Sequence, residues 1–226
     1  MRNENNAELQ RDVQNAIKWE PLLNAAEIGV TAKDGVVSLT GVVDSYAKKM
    51  EAENAAKKVI GVKALVEKID VIIPNAWTKT DEEIAIQILS ALKSNWRVPN
   101  EKITVKVEEG WVTLEGELPW NSQKEAAKDA VSYLVGVKGV INNIKIISEV
   151  KNAIEQKDVE EAINRSWSVD THDIKVQVSG TTVTLTGIVN SWYQKEEAGR
   201  IAWNTPGIWH VKNEIEIDYD RIFANI

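Results

Sequence analysis

The sequence predicts an α+β chain of three tandem αββαβ domains, each with two helices packed on one face of a three-stranded sheet, over residues 8–74, 80–148 and 153–218. Three observations predict it. Ile103, Val105 and Val107, followed by the stretch from Gly110 to Trp120 (GWVTLEGELPW), alternate apolar and polar residues with period two, as strands with one buried face must. The same unit recurs twice. Subtracting 75 from its numbers gives Gly35, Val37, Leu39 and Gly41 after Ile28 and Val30; adding 71 gives Val183, Leu185 and Gly187 after Ile174, Val176 and Val178. Both offsets run without gaps from the first helix of a copy to its last strand. Lys18 and Lys93, Ala52 and Ala127, Val62 and Val137, and Ile69 and Ile144 are identical pairs at a spacing of 75.

In the first copy, residues 1–8 are polar and expected to fray, and Leu9, Val13 and Ile17 then mark one face of a helix that Pro21 ends. Residues 28–32 and 36–43 read as a hairpin. A second helix over 45–60 turns Met50, Ala52, Ala55, Ala56 and Val59 inward, and Gly61 stops it by taking a left-handed conformation without penalty. Residues 65–73 close the sheet. After a linker at 74–79, Thr80 and Glu83 have the spacing of a capping box that opens the next helix. In the second copy Ile84, Ile88 and Leu92 face the core, Glu109-Gly110 makes the hairpin turn, Gly136 matches Gly61, and residues 140–147 form the closing strand. A second linker at 149–156 leads to Val159 and Ile163, a third hairpin, a helix opened by Ser191 and Gln194, Gly207, and a last strand over 211–217.

Composition narrows the chemistry. The 226 residues are 43% hydrophobic and 27% charged, ordinary globular values, so the repeats rather than the length settle the domain number. There is no cysteine, hence no disulfide, thiolate nucleophile or thiolate-held zinc. His172 and His210 align with Glu101 and Gly139 of the second copy and belong to no repeated site. The acidic run Asp81-Glu82-Glu83 lies at a helix start, where it offsets the helix dipole. No catalytic residue, metal site or cofactor is therefore assigned; the hairpin glycines match neither G-x-G-x-x-G nor a Walker sequence. The net charge of −7 argues against nucleic acid as a partner, because that binding relies on cation density. With no apolar run of membrane-span length and no signal-like start, the chain is expected in the cytoplasm, peripheral to a membrane where it meets one.

Nine tryptophans are the least average feature. Trp96 and Trp167, equivalent at the offset of 71, are expected to cap the end of the core behind the first helix, with Trp19 filling a similar gap. Trp111 falls with Thr113 and Glu115 on the sheet face away from the helices, where an outward tryptophan meets another domain. In the third copy Trp203 aligns with Ser132 and Lys57, Trp209 with Lys138 and Lys63, and Gly199 with Lys128 and Glu53, so positions read as solvent-facing have become apolar or small. Trp192, Gly199 and Trp203 share one helical stripe. Trp192, Gly199, Trp203, Trp209 and Trp111 are the candidate binding residues. Such a stripe marks a contact with a sister repeat, with a second copy of the chain in a homo-oligomer, with a lipid surface, or with another protein. Lys48, Lys49, Lys57 and Lys58 on the first copy's second helix could meet anionic headgroups, but a solvated mixed-charge face is the favoured reading, since Glu51 and Glu53 lie among them.

The repeated pattern Ile103-x-Val105-x-Val107, Gly110-Trp111-Val112-Thr113-Leu114-Glu115-Gly116 and Gly136-Val137 resembles the BON domain, the bacterial transport-associated and nodulation domain, and does so three times over nearly the whole chain. The third copy departs at Ser179-Gly180-Thr181-Thr182 and at Pro206. The resemblance implies a non-enzymatic module that binds phospholipid at membrane surfaces and is associated with osmotic or envelope stress. The alternatives are a soluble protein-interaction scaffold, or an ion-responsive module, with no lipid binding.

Overall fold

The structure is a computed structural model that describes residues 2–147, 156–165, 174–205 and 208–218. The first copy contains α1 (Arg2–Lys18), β1 (Ile28–Lys33), β2 (Val36–Val43), α2 (Tyr46–Lys58) and β3 (Ala64–Val71). The second contains α3 (Asp81–Ser94), β4 (Ile103–Glu108), β5 (Trp111–Leu118), α4 (Asn121–Ser132), β6 (Gly139–Asn142) and β7 (Lys145–Ile146). The third contains α5 (Gln156–Asn164), β8 (Ile174–Ser179), β9 (Thr182–Val189), α6 (Trp192–Trp203) and β10 (His210–Ile217). The fold class is the α+β one read from the repeats. Linker residues 149–155, Trp167, His172 and Gly207 lie outside the described residues.

In each sheet the second hairpin strand is central. β4 runs antiparallel to β5 from Ile103↔Gly116 to Glu108↔Trp111, whereas β6 and β10 run parallel to β5 and β9. A parallel neighbour needs a crossover, which α4 and α6 supply, and a right-handed crossover lays its helix on the sheet. The first helix of a copy covers the same face. Ile84, Ile88 and Leu92 meet Val112, Leu114 and Leu118 in one core; Val159 and Ile163 meet Val183, Leu185 and Val189 in another.

Local chemistry explains the turns. Asp34 and Gly35 have φ of 52° and 82°, Glu109 and Gly110 50° and 83°, the paired positive φ of a type I′ hairpin. The third copy carries its glycine one position earlier. Gly180 has φ 60° and Thr181 is not in the left-handed region, the signature of a type II′ turn. A side chain from the first helix ties the turn down: Asn6 Oδ1 accepts the Asp34 N–H at 2.8 Å, and at the equivalent place Asp81 accepts those of Glu109 and Gly110 at 2.8 and 2.9 Å. The glycine ending the motif is steric. A Cβ on Gly116, at φ 146°, would stand 2.1 Å from the Lys102 carbonyl oxygen.

Two elements differ from expectation. α1 begins at Arg2, where fraying was expected, and Asn6 on its second turn is the residue that holds the hairpin. The closing strand of the second copy is broken into β6 and β7. Asn142 is the last residue of β6: its Oδ1 accepts the Ile144 N–H at 3.3 Å and its amide donates to the Lys124 carbonyl of α4 at 3.0 Å, bonds that do not by themselves break a strand, since β10 runs whole through its equivalent Asn213. Asn213 repeats both bonds in the third copy, to Ile215 and to Lys195 at 2.6 Å.

Domains of this size bury only about 60% of their unfolded-chain surface, so further packing stabilises them. The described residues form two compact units, one from 1–42, 50–70 and 152–226, the other from 43–49 and 71–151. The first unit thus combines most of the first copy with the third.

Candidate interaction surfaces

Inside the first unit, α6 begins beside the end of α2. Ser191 caps α6 by accepting the Gln194 N–H, which presents Trp192 at the first helical position. The Trp192 indole donates to Glu196 Oε1 at 2.8 Å. Lys57 Nζ reaches the same oxygen at 3.0 Å and sits 5.9 Å from the centre of the Trp192 ring. The Gly61 N–H donates to the Asn190 carbonyl at 3.1 Å. Trp192 is therefore engaged by a sister copy. Tyr46, its equivalent in the first copy, packs against the core of the second. An aromatic residue at the start of the second helix does the same work twice, a signal visible in the sequence as Tyr46 and Trp192 at equivalent positions.

The other α6 positions face the third copy itself. Gly199 is buried, and a Cβ there would stand 2.8 Å from Asn213 Nδ2, so the glycine admits the asparagine that bonds Lys195. Trp203 is partly buried against its own core. Trp209 is partly buried too, with an indole nitrogen that has no partner among the described residues. The premise of solvent-facing equivalents is corrected here. Ser132, equivalent to Trp203, is 1% exposed and its hydroxyl donates to the Lys128 carbonyl. The Trp203 position is therefore a contact position in more than one copy, whereas Lys63, equivalent to Trp209, is exposed. Trp111 is half-exposed on the open sheet face, its ring lying over Gly139, where a Cβ would come within 2.3 Å of it. The pair is adjacent in register, an aromatic residue covering a strand glycine.

Trp96 and Trp19, behind the first helices of the second and first copies, do not cap the core. Trp96 is 91% exposed and Trp19 83%. Asn95 explains the first: its side chain accepts the Arg97 N–H and its carbonyl the Val98 N–H, a turn that drives Val98 into the core and leaves Trp96 in water. Trp96 continues an outward line along α3. Ile86 is 61% exposed, Leu89 56%, and Lys93 is exposed between them and Trp96, at spacings i, i+3, i+7 and i+10. The equivalents in the first copy are Arg11, Gln14, Lys18 and Pro21, and in the third Ile86 and Leu89 are replaced by Lys157 and Glu160. Only the second copy has this stripe among the described residues. Its sequence signal was the surplus of large aliphatics in α3, five where Ile84, Ile88 and Leu92 suffice for the inner face.

Cations on α2 are otherwise committed. Lys48 pairs with Asp44 at 2.7 Å, Lys57 with Glu196 and Lys58 with Glu20 at 3.8 Å. A cleft of about 160 Å³ beside the second hairpin turn has Lys79, Lys138 and Asp81 in its wall, but the Asp81 carboxylate already holds two backbone N–H groups. Among the described residues no group of three His, Asp or Glu side chains could hold a metal ion. His210 is exposed at the start of β10. Among those residues no helix is long and apolar enough to cross a membrane.

The family profile described as BON domain matches residues 5–72, 80–148 and 151–219. Osmotically-inducible protein Y of Escherichia coli (strain K12) is 28% identical over 127 residues, which are 54% of this chain and 63% of that protein, so the match spans less than two thirds of the relative. Among solved structures, the C-terminal domain of CdsD, the structural protein of the type III secretion system of Chlamydia trachomatis, is 18% identical over 93% of this chain and 96% of its own, with a TM-score of 0.25. A second CdsD structure is 16% identical at a TM-score of 0.24, covering 96% of this chain and 97% of its own. Scores of that size carry no argument. The three profile matches fall on the three hairpin-and-helix units and together take in nearly every residue, and by them the chain belongs to the BON domain family, in three tandem copies.

Proposed function

We propose that this chain is a non-catalytic, stress-associated binding protein that attaches reversibly to anionic phospholipid surfaces through the outer face of α3. The observation that carries the reading is the stripe of Ile86, Leu89 and Trp96, open to water on a helix whose inner face is already filled. Monomers seldom leave such a line uncovered. Its setting favours lipid: Lys93 lies within the stripe and Arg97 follows Trp96, while tryptophan suits the boundary between headgroups and acyl chains. Each aliphatic side chain leaving water contributes about 1.5–3 kcal/mol, and each cation about 1 kcal/mol beside an anionic surface. Terms of that size give peripheral attachment. BON membership and the likeness to an osmotically inducible protein support the stress association.

The test is flotation of the full chain with vesicles of phosphatidylglycerol and phosphatidylethanolamine, against phosphatidylcholine alone. Co-flotation with the anionic vesicles is expected, lost on combining Ile86→Asn, Leu89→Asn and Trp96→Ser. Absence of flotation with every composition overturns the lipid reading. Flotation that survives the triple substitution removes α3 as the site. A larger mass in light scattering that the same substitutions abolish assigns the stripe to a second copy of the chain instead.

A further inference from the structure

Behind α1 the first copy exposes a second apolar element of different build. Trp19 is 83% exposed and Leu22 56%, with Pro21 between them, at the tip of the turn that leads from α1 towards β1. The tip is ordered by its own hydrogen bonds. The Trp19 N–H donates to Asn15 at 3.0 Å, that of Glu20 to Ile17 at 3.2 Å, and that of Leu23 to Glu20 at 3.0 Å. Glu20, the acid of the tip, is drawn to Lys58 at 3.8 Å. Lys18, exposed, stands immediately before Trp19.

We infer that the turn Trp19–Leu22 is a bilayer contact belonging to the first copy, inserting its tryptophan and leucine among anionic headgroups. The inference rests on the reading of the chain as a lipid-surface protein but on a different surface. Its argument is shape and charge. A protruding tryptophan has no concavity around it to hold a small ligand, and a protein would have to supply a pocket made for it. A bilayer boundary accepts a convex aromatic and aliphatic tip without matching its shape. The local acid is paired and the adjacent lysine faces water, so the tip approaches an anionic surface without like-charge repulsion. Because the turn is already held by backbone bonds, insertion orders little new chain.

The absence of cysteine makes a direct test possible, since one introduced thiol is unique. Leu22→Cys and, separately, Leu89→Cys would carry an environment-sensitive fluorophore on the full chain, titrated with phosphatidylglycerol-containing vesicles and with phosphatidylcholine vesicles. A blue shift and rise in intensity at position 22 with the anionic vesicles only is the expected result. Combining Trp19→Ser with Leu22→Ser should lower the apparent lipid affinity by about tenfold or more. A response at position 89 with none at position 22 overturns this inference and leaves the α3 reading standing. A response at position 22 with none at position 89 upholds it and removes α3. Silence at both overturns the two together.

Discussion

Helix α6 and the segment made of helix α3 and the turn after it both carry tryptophan and apolar residues beyond what the inner faces need, and they put them to opposite use. On α6, Trp192 is held by Glu196 and Lys57 and Trp203 lies on its own core, so the aromatic surface is absorbed within the chain. On α3, Ile86 and Leu89, with Trp96 just beyond the helix, are largely exposed among the described residues. Residue type does not separate the two helices. What separates them is whether another segment lies across the face, and for the chain this means that the copy with fewer tryptophans on its helices offers the open surface.

The comparison can be broken most severely at α3. The triple substitution Ile86→Asn, Leu89→Asn, Trp96→Ser should abolish vesicle flotation while moving stability by no more than about 0.5 kcal/mol for each exposed position; a collapsed thermal transition would mean that the stripe is structural. On α6 the converse is expected. Asn213→Ala removes the bonds to Lys195 and Ile215 and leaves a gap facing Gly199, costing about 1–3 kcal/mol by denaturant titration with flotation unchanged. Asn142→Ala should behave alike in the second copy, and a null result in both would remove the asparagine tether from the fold.

A smaller effect tests whether Trp192 belongs to the chain's interior. The partly exposed Lys57–Glu196 ion pair and the Lys57–Trp192 cation–π contact beside it are worth about 0.5–1 kcal/mol each. Lys57→Ala and Trp192→Ala should therefore be non-additive in a double-mutant cycle, and simple additivity would mean that the two side chains do not interact. The smallest effect sharpens the α3 side. Thr80 donates its backbone N–H and its hydroxyl to Glu83, which holds that carboxyl below the usual glutamate range. A depressed folded-state value stabilises above the ordinary range and is lost as pH falls through the lowered one. Glu83→Gln should flatten that acid limb of the stability curve, read by thermal melts at stepped pH; an unchanged acid limb would show that the box contributes nothing through charge.

Much of the fold was legible because its signals are local. Period-two alternation placed the hairpins, glycine chemistry their turns, and Thr80 with Glu83 the start of α3, each borne out by the hydrogen bonds found there. The asparagine tether between closing strand and second helix was not legible, since Asn142 acts through a helix carbonyl 18 residues away. The surfaces were read less well. Trp96 was expected at the end of the core, and one side chain–backbone bond from Asn95 turned it outward and seated Val98 instead.

By itself the sequence determined that a small helix-and-hairpin unit occurs three times, because periodicity, turn residues and caps act over a few positions and repeat with the chain. Only the tertiary structure decided which aromatic side chains are covered. That depends on segments far apart in the chain, such as Lys57 and Trp192, meeting or failing to meet, and no local pattern encodes the meeting.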